Sequence, residues 1–206
     1  MKSTVDQAPR FTVADAERFA VERFGVEATA EALPSERDQN FRMTSADGTR
    51  HVLKIANGLE SREVLEFQNA VLGHLSQRID PFRSGLAGHT FACPFPQLLL
   101  SREGEAIVSA TGPVGTDHLV RMLTWVPGEP LARVRPHGAG LLENLGCYFG
   151  LLDRALDDFD HPGAHRDFYW DLQNATRVAG DYGPEIEDPD LRRIVNGLAT
   201  RFEADT

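Results

Sequence analysis

Apolar residues recur every three or four positions from Thr12 to Phe24, where Val13, Ala16, Phe19, Ala20 and Phe24 fall on one side of a helix. Thr12 stands where a cap belongs, Asp15 follows three residues on near the positive end of the dipole, and Gly25 supplies a stop. Val26 to Leu33 reads as a strand diluted by alanines, and Pro34 to Asp38 as a polar turn. Asn40 to Thr44 and Arg50 to Ala56 alternate apolar and polar residues around Ala46-Asp47-Gly48. Asp-Gly between two alternating runs predicts a β-hairpin, because both residues tolerate positive φ.

A helix is predicted over Ser61 to Gln77, with Val64, Leu65, Ala70, Val71, Leu72 and Leu75 as its apolar stripe. Ile79 to Pro96 is rich in Gly, Pro, Ser and aromatic residues and reads as loop; Gln97–Leu100, Glu105–Ala110 and His118–Val126 read as strands. Pro127-Gly128-Glu129-Pro130 interrupts the pattern and marks a boundary between lobes. Beyond it the period is helical, over Gly140–Phe159, Trp170–Ala179 and Asp188–Phe202. Strands without repeated crossover helices, followed by helices alone, predict an α+β fold rather than a doubly wound sheet. The segments expected are a disordered or extended tail at 1–11, a strand-rich lobe at 12–126 and a helical lobe at 127–206.

Composition narrows the classes. Hydrophobic residues at 41% and charged residues at 25% are the balance of an ordinary soluble globular chain. Acidic residues outnumber basic ones 31 to 21, for a net charge of -10, which argues against nucleic acid or an anionic membrane as partner. Cys93 and Cys147 lie far apart with no CxxC pair, so neither a zinc site nor a disulfide framework is indicated. Met1 to Phe11 has no apolar core of the signal-peptide kind, and Leu98-Leu99-Leu100 is far too short to span a bilayer, so a cytoplasmic protein is expected.

The candidate chemistry centres on Lys54, in the strand Arg50 to Ile55. A strand lysine that follows a hairpin and precedes a carboxylate-rich helix can bridge the α- and β-phosphates of a nucleotide. The pattern equally fits a solvated lysine on the strand's polar face. Glu63, Glu66 and Gln68 are the partners the following helix offers. Ser35 to Asn40 can place N–H groups and a hydroxyl near phosphates, although without a glycine it is by itself a plain turn. His165-Arg166-Asp167 mimics a protein-kinase catalytic loop, but the metal-binding asparagine expected five residues later is Leu172, and Asn174 comes too late. Asp153, Asp157, Asp158 and Asp160 crowd a helix end and are read as a solvated face. Nucleophile-elbow, zinc-protease, Walker and dinucleotide-binding motifs are absent from the sequence.

These pieces together resemble the aminoglycoside phosphotransferase and choline-kinase-like family. Within it the likeness is to hydroxylysine kinases and to the kinase-like domain fused to class III aminotransferases. The segments that carry it are Leu33-Pro34-Ser35 with Asp38-Gln39-Asn40-Phe41, Val52 to Asn57, Leu119 to Gly128, the Gly146 to Phe159 helix, and His161-Pro162 with His165-Arg166. Each is short, and their order and spacing make the set specific.

The resemblance implies a protein-kinase-like fold with an antiparallel five-stranded N-lobe, one helix packed on it, and a truncated helical lobe. It implies transfer of the ATP γ-phosphoryl group to the hydroxyl of a small cationic amine. By position, Lys54 would touch the α- and β-phosphates. Ser35, Asp38, Gln39 and Asn40 would belong to the loop over the nucleotide, and Leu123, Thr124 and Trp125 to the hinge that bonds adenine. The family's acidic partner for the lysine falls near Gln68, so either Glu66 serves or the contact is neutral. The family's catalytic loop and its Mg²⁺ ligands are expected beyond residue 206, in further domains of a longer parent. Without them the chain alone is expected to be inactive. The alternative is a non-catalytic docking domain attached to a pyridoxal-phosphate class III aminotransferase.

Overall fold

The computed structural model describes residues 7–79, 84–86, 89–91, 95–113, 115–167 and 171–205. The chain divides into two compact units, Met1–Ala164 and His165–Thr206.

The first unit is built on a six-stranded antiparallel sheet: β1 (Ala28–Leu33), β2 (Gln39–Ser45), β3 (Arg50–Ile55), β6 (Leu98–Leu99), β7 (Val108–Thr111) and β8 (Asp117–Thr124). The order is β1-β2-β3-β8-β6, and β7 also pairs with β8. Six strands rather than five result because β6 and β7 share β8, pairing with Met122–Leu123 and with Asp117–Val120 respectively. The β2–β3 hairpin closes as its sequence requires, with Gly48 at φ 85° and the Asp47 carboxylate accepting from the Thr49 N–H and hydroxyl. Ile79 to Pro96, expected as loop, contains a two-stranded pair, β4 (Ser84–Leu86) with β5 (His89–Phe91). Three residues per strand, one of them Gly85, are too few to show an alternation. Residues 80–83, 87–88 and 92–94 of that stretch lie outside the described residues.

Alternation gives the sheet two different faces. Phe41 and Met43 of β2, Leu53 and Ile55 of β3, and Val120 and Met122 of β8 form one buried cluster with Ala16, Ala20 and Phe24. Those last residues belong to α1 (Val13–Phe19) and the wider π-type turn Ala20–Phe24 that continues it. Thr12 and Asp15 form a reciprocal capping box at its start, and Gly25 ends it at φ 69°. Residues 7–11 are tied down: the Gly58 N–H donates to the Gln7 carbonyl, and the Gln39 side chain bonds both backbone groups of Phe11.

The opposite face carries Asn40, Lys54, Arg121 and Leu123, and α2 (Arg62–Arg78) crosses it, capped by the Ser61 hydroxyl. The C-terminal half of α2 packs on α3 (Ala139–Leu156) through Leu75, Ile79, Phe95 and Ala155, with Val71, Leu72, Tyr148 and Leu152 beside them. Asp158, read as part of a solvated acidic face, is exposed, and it also bonds Arg78 and lies 3.3 Å from His74, which fastens the end of α3 to α2.

The second unit holds α4 (Ala175–Tyr182) and α5 (Pro189–Asp205). The predicted helix over Trp170 to Ala179 begins only at Ala175, after a short 3₁₀ turn at Leu172–Asn174; residues 168–170 lie outside the described set. Arg177 grips Asp167 with two hydrogen bonds of 2.8 and 2.7 Å, giving that carboxylate a structural partner. Among the described residues no helix is long and apolar enough to cross a membrane.

Candidate functional site

Three strands bring three polar side chains into line. Asn40 of β2 stands opposite Lys54 of β3, and Lys54 stands opposite Arg121 of β8. Because facing residues in a sheet point the same way, all three emerge beneath α2 and beside the loop at 35–40.

Lys54 is half-buried, and its ammonium donates to Asn40 Oδ1 at 3.2 Å. Asn40 Nδ2 donates in turn to Ser35 Oγ at 3.0 Å, leaving the serine hydroxyl hydrogen for another acceptor. The loop closes over this relay. It has no glycine, and its shape is fixed from outside by Asn57, which is 1% exposed. The Asn57 N–H donates to Asp38 Oδ1 (3.0 Å), its Nδ2 to the Arg37 carbonyl (3.2 Å), and its Oδ1 accepts from Leu59 N–H (3.0 Å).

Two cavities meet at Lys54. One, of about 320 Å³, is polar and lined by Ser35, Glu36, Arg37, Asp38, Asn40, Lys54 and Glu60. The other, of about 410 Å³, has mostly apolar walls from Phe67, Val71, Leu72, Pro96 and Leu123, with Lys54, Gln68 and Arg121 adding polar groups. Burial pushes the Lys54 ammonium below the usual lysine pKa; the Asp38 carboxylate opposes the fall and the Arg121 charge reinforces it.

The residues expected at the site divide. Ser35, Asp38, Asn40 and Lys54 converge on the polar cavity, and Gln68 and Leu123 line the apolar one. Gln39 points elsewhere, since the residue next to Asn40 on a strand faces the other side, and its amide is spent on Phe11. Glu66 is exposed on a separate surface with Arg62, Asn69, Glu105, Ala106 and Ile107, away from Lys54. Gln68 does meet a cation, but that cation is Arg121. At the hinge, the Thr124 N–H donates to the Gln97 carbonyl (2.8 Å) and the Trp125 N–H to the Arg50 carbonyl (3.1 Å). Both amides are therefore engaged within the sheet, and Trp125 stacks under the Arg42 guanidinium.

Sequence reasoning assigned no role to Arg121 and Asn57. Arg121 is 3% exposed and hydrogen-bonds Gln68 Oε1 (2.5 Å), Asn69 Oδ1 (2.7 Å) and the Leu65 carbonyl (3.4 Å). The signal for it was one charge inside the apolar run Leu119 to Leu123 of a buried strand, a placement that demands partners. Among the described residues no three His, Cys, Asp or Glu side chains gather in a way that would hold a metal ion.

No family model matches the sequence. Individual relatives do. Hydroxylysine kinase from Mus musculus is 33% identical over a match covering 98% of this chain and 54% of the relative. The enzyme of that name from Danio rerio is 26% identical, covering 98% and 55%, and that from Bos taurus 31%, covering 81% and 45%. The chain thus spans about half the length of the curated relatives it matches. Two solved structures share its fold. A microcompartment-associated aminopropanol kinase superposes with a TM-score of 0.56 at 14% identity, covering 84% of this chain and 57% of that one. An amicoumacin kinase in complex with AMP-PNP, Ca²⁺ and Ami superposes at 0.54 and 16%, covering 76% and 47%. With the fold of small-molecule kinases and a sequence that aligns with hydroxylysine kinases over nearly its whole length, this chain belongs to the aminoglycoside-phosphotransferase-like family of phosphotransferases.

Proposed function

We propose that the chain carries the nucleotide-binding part of an ATP-dependent phosphotransferase that acts on the hydroxyl of a small amine or amino alcohol, in the cytoplasm. The observation that carries this reading is the placement of Lys54. Its ammonium is fixed by Asn40 at the mouth of a polar cavity roofed by the 35–40 loop, with an apolar cavity adjoining. A partly desolvated cation held by a neutral acceptor keeps its charge for an incoming anion, and phosphoryl transfer depends mainly on positioning and charge. The polyphosphate would lie under the loop against Lys54 and the Ser35 hydroxyl. The nucleoside would extend toward Leu123, Thr124 and Trp125. The base would then be held by shape and apolar contact rather than by the two occupied amides. ATP brings Mg²⁺ with it, and on this proposal the share of the work that falls to Lys54 and the 35–40 loop is binding and orientation.

Hydroxylysine or an aminoglycoside-like acceptor follows from the named relatives and is part of the proposal. The observation that favours a second reading, a docking domain attached to a class III aminotransferase, is that α2 gives Lys54 no carboxylate. Calorimetric titration of the chain with ATP decides between them. Micromolar to millimolar binding that Lys54→Met abolishes supports the nucleotide site, whereas binding that is absent, or indifferent to the substitution, removes it.

A further inference from the structure

Buried arginines are costly unless a carboxylate or a full set of acceptors meets them. Arg121 is 3% exposed, and every acceptor bonded to it is neutral: Gln68 Oε1, Asn69 Oδ1 and the Leu65 carbonyl, all on α2. Its facing neighbour across β3 is Lys54, which is bonded to an equally neutral amide. Among the described residues no carboxylate lies within ion-pair distance of either cation. Two adjacent positive charges thus sit on one face of the sheet with dipoles as their partners.

We propose that Arg121 is a positioning residue of this site, fastening α2 to the sheet through neutral acceptors while its charge, which no carboxylate pairs directly, joins that of Lys54 in attracting a polyphosphate. The inference rests on the nucleotide reading above and deepens it. The helix–sheet link and the phosphate cation are separate residues here. Arg121 takes the helix and Lys54 is released to the ligand. Glutamine at position 68 fits this division. A carboxylate there would neutralise the guanidinium and lower the positive potential at Lys54, whereas an amide oxygen accepts the same hydrogen bond without cancelling charge. Asparagine at 69 repeats the choice. The charged groups that face the pair are few. Asp38 on the loop offsets both cations, Glu60 at the loop's edge offsets Arg121, and Glu36 and Arg37 line the outer part of the polar cavity. The α2 residues that line the apolar cavity, Phe67, Gln68, Val71 and Leu72, are uncharged.

The test uses the whole chain with ATP and with inorganic triphosphate as probes. In Gln68→Glu, thermal stability holds or rises because the guanidinium gains an ion pair, while affinity for both probes falls about tenfold, the effect of cancelling one nearby charge. Arg121→Lys keeps the charge but not the fork, so it loses stability yet retains more affinity than Arg121→Met. Lys54 titration, followed by NMR of its ε-methylene or by amine-labelling rate, needs no ligand. It moves upward in Gln68→Glu and in Arg121→Met, because a like charge is cancelled or removed. Equal or tighter triphosphate binding by Gln68→Glu, with the Lys54 titration unmoved, would overturn the proposal. If wild type binds neither probe, the nucleotide reading fails, and the titration alone then decides whether Arg121 and Lys54 are coupled. Gln68→Glu carries the test if Arg121→Met does not fold.

Discussion

Asn57 is the residue whose removal should tell most about how the loop is held. Its side chain is 1% exposed, and the hydrogen bonds that Asn57→Ala would delete include those to the Arg37 carbonyl and from the Leu59 N–H. Each buried polar group left without a partner costs about 1–3 kcal/mol. Arg37 and Leu59 are themselves exposed at the side chain, so water can reach part of what is vacated, and the total settles toward the low end, about 2–3 kcal/mol. The third bond, from the Asn57 N–H to Asp38, belongs to the backbone and survives the substitution. The sheet should therefore remain while the loop loosens. Urea denaturation reads the loss in stability. Hydrogen exchange at β2 and β3 separates a loosened loop from a melted sheet, since ladder amides stay protected in the first case. Triphosphate affinity should drop as well, because Ser35 sits on the segment set free and its hydroxyl is the acceptor for Asn40. A variant within 0.5 kcal/mol of wild type, with triphosphate binding intact, would refute the claim that Asn57 shapes the loop.

Two further outcomes follow from single contacts. Hydrogen bonds from the Thr12 hydroxyl, then from its N–H, and then from Arg18 hold the Asp15 carboxyl down at about 2. A folded pKa below the unfolded one gives stability that is complete above roughly pH 4 and disappears as the pH falls through about 2. Thr12→Ala should remove about 1 kcal/mol at neutral pH and shrink the difference from wild type in acid, as measured by thermal melts at pH 7 and pH 2.5. At Gly163, an added Cβ would stand 2.6 Å from Phe67 Cβ, an atom too near the helix backbone to swing away. Gly163→Ala should cost about 1–3 kcal/mol and reshape the apolar cavity that Phe67 lines, seen as a lower melting temperature; an unchanged melt would show that Gly163 has room the geometry denies.

What the sequence made readable was what neighbours in the chain decide. The Thr12–Asp15 cap, the Gly25 stop, the Asp47-Gly48 turn and the Ser61 start of α2 each depend on residues within four positions, and each is present. Leu53 and Ile55 alternate with Lys54, so the strand's two faces were legible too. Pairings between distant segments were not. That β6 and β7 both use β8 depends on contacts whose partners lie up to 25 positions apart and whose lengths are two and four residues, too short for periodicity to register.

The same limit explains the partner of Gln68. Read along the chain, the carboxylates and amides of α2 follow Lys54 closely, and proximity in sequence suggests that one of them should meet it. In the sheet, β8 lies between β3 and β6, and this inserts Arg121 beside Lys54 on the face that α2 covers. The guanidinium is longer, carries five donors and cannot shed its charge, so it outcompetes the ammonium for the helix's acceptors. Once Arg121 holds Gln68 and Asn69, Lys54 is left to Asn40, whose short amide cannot neutralise it. A half-buried lysine beside a buried arginine, with Asp38 as the carboxylate that offsets both, gains further when an anion arrives. On the proposed reading, strand order sets Arg121 beside Lys54, and the neutral acceptors of α2 leave both charges available to a polyphosphate.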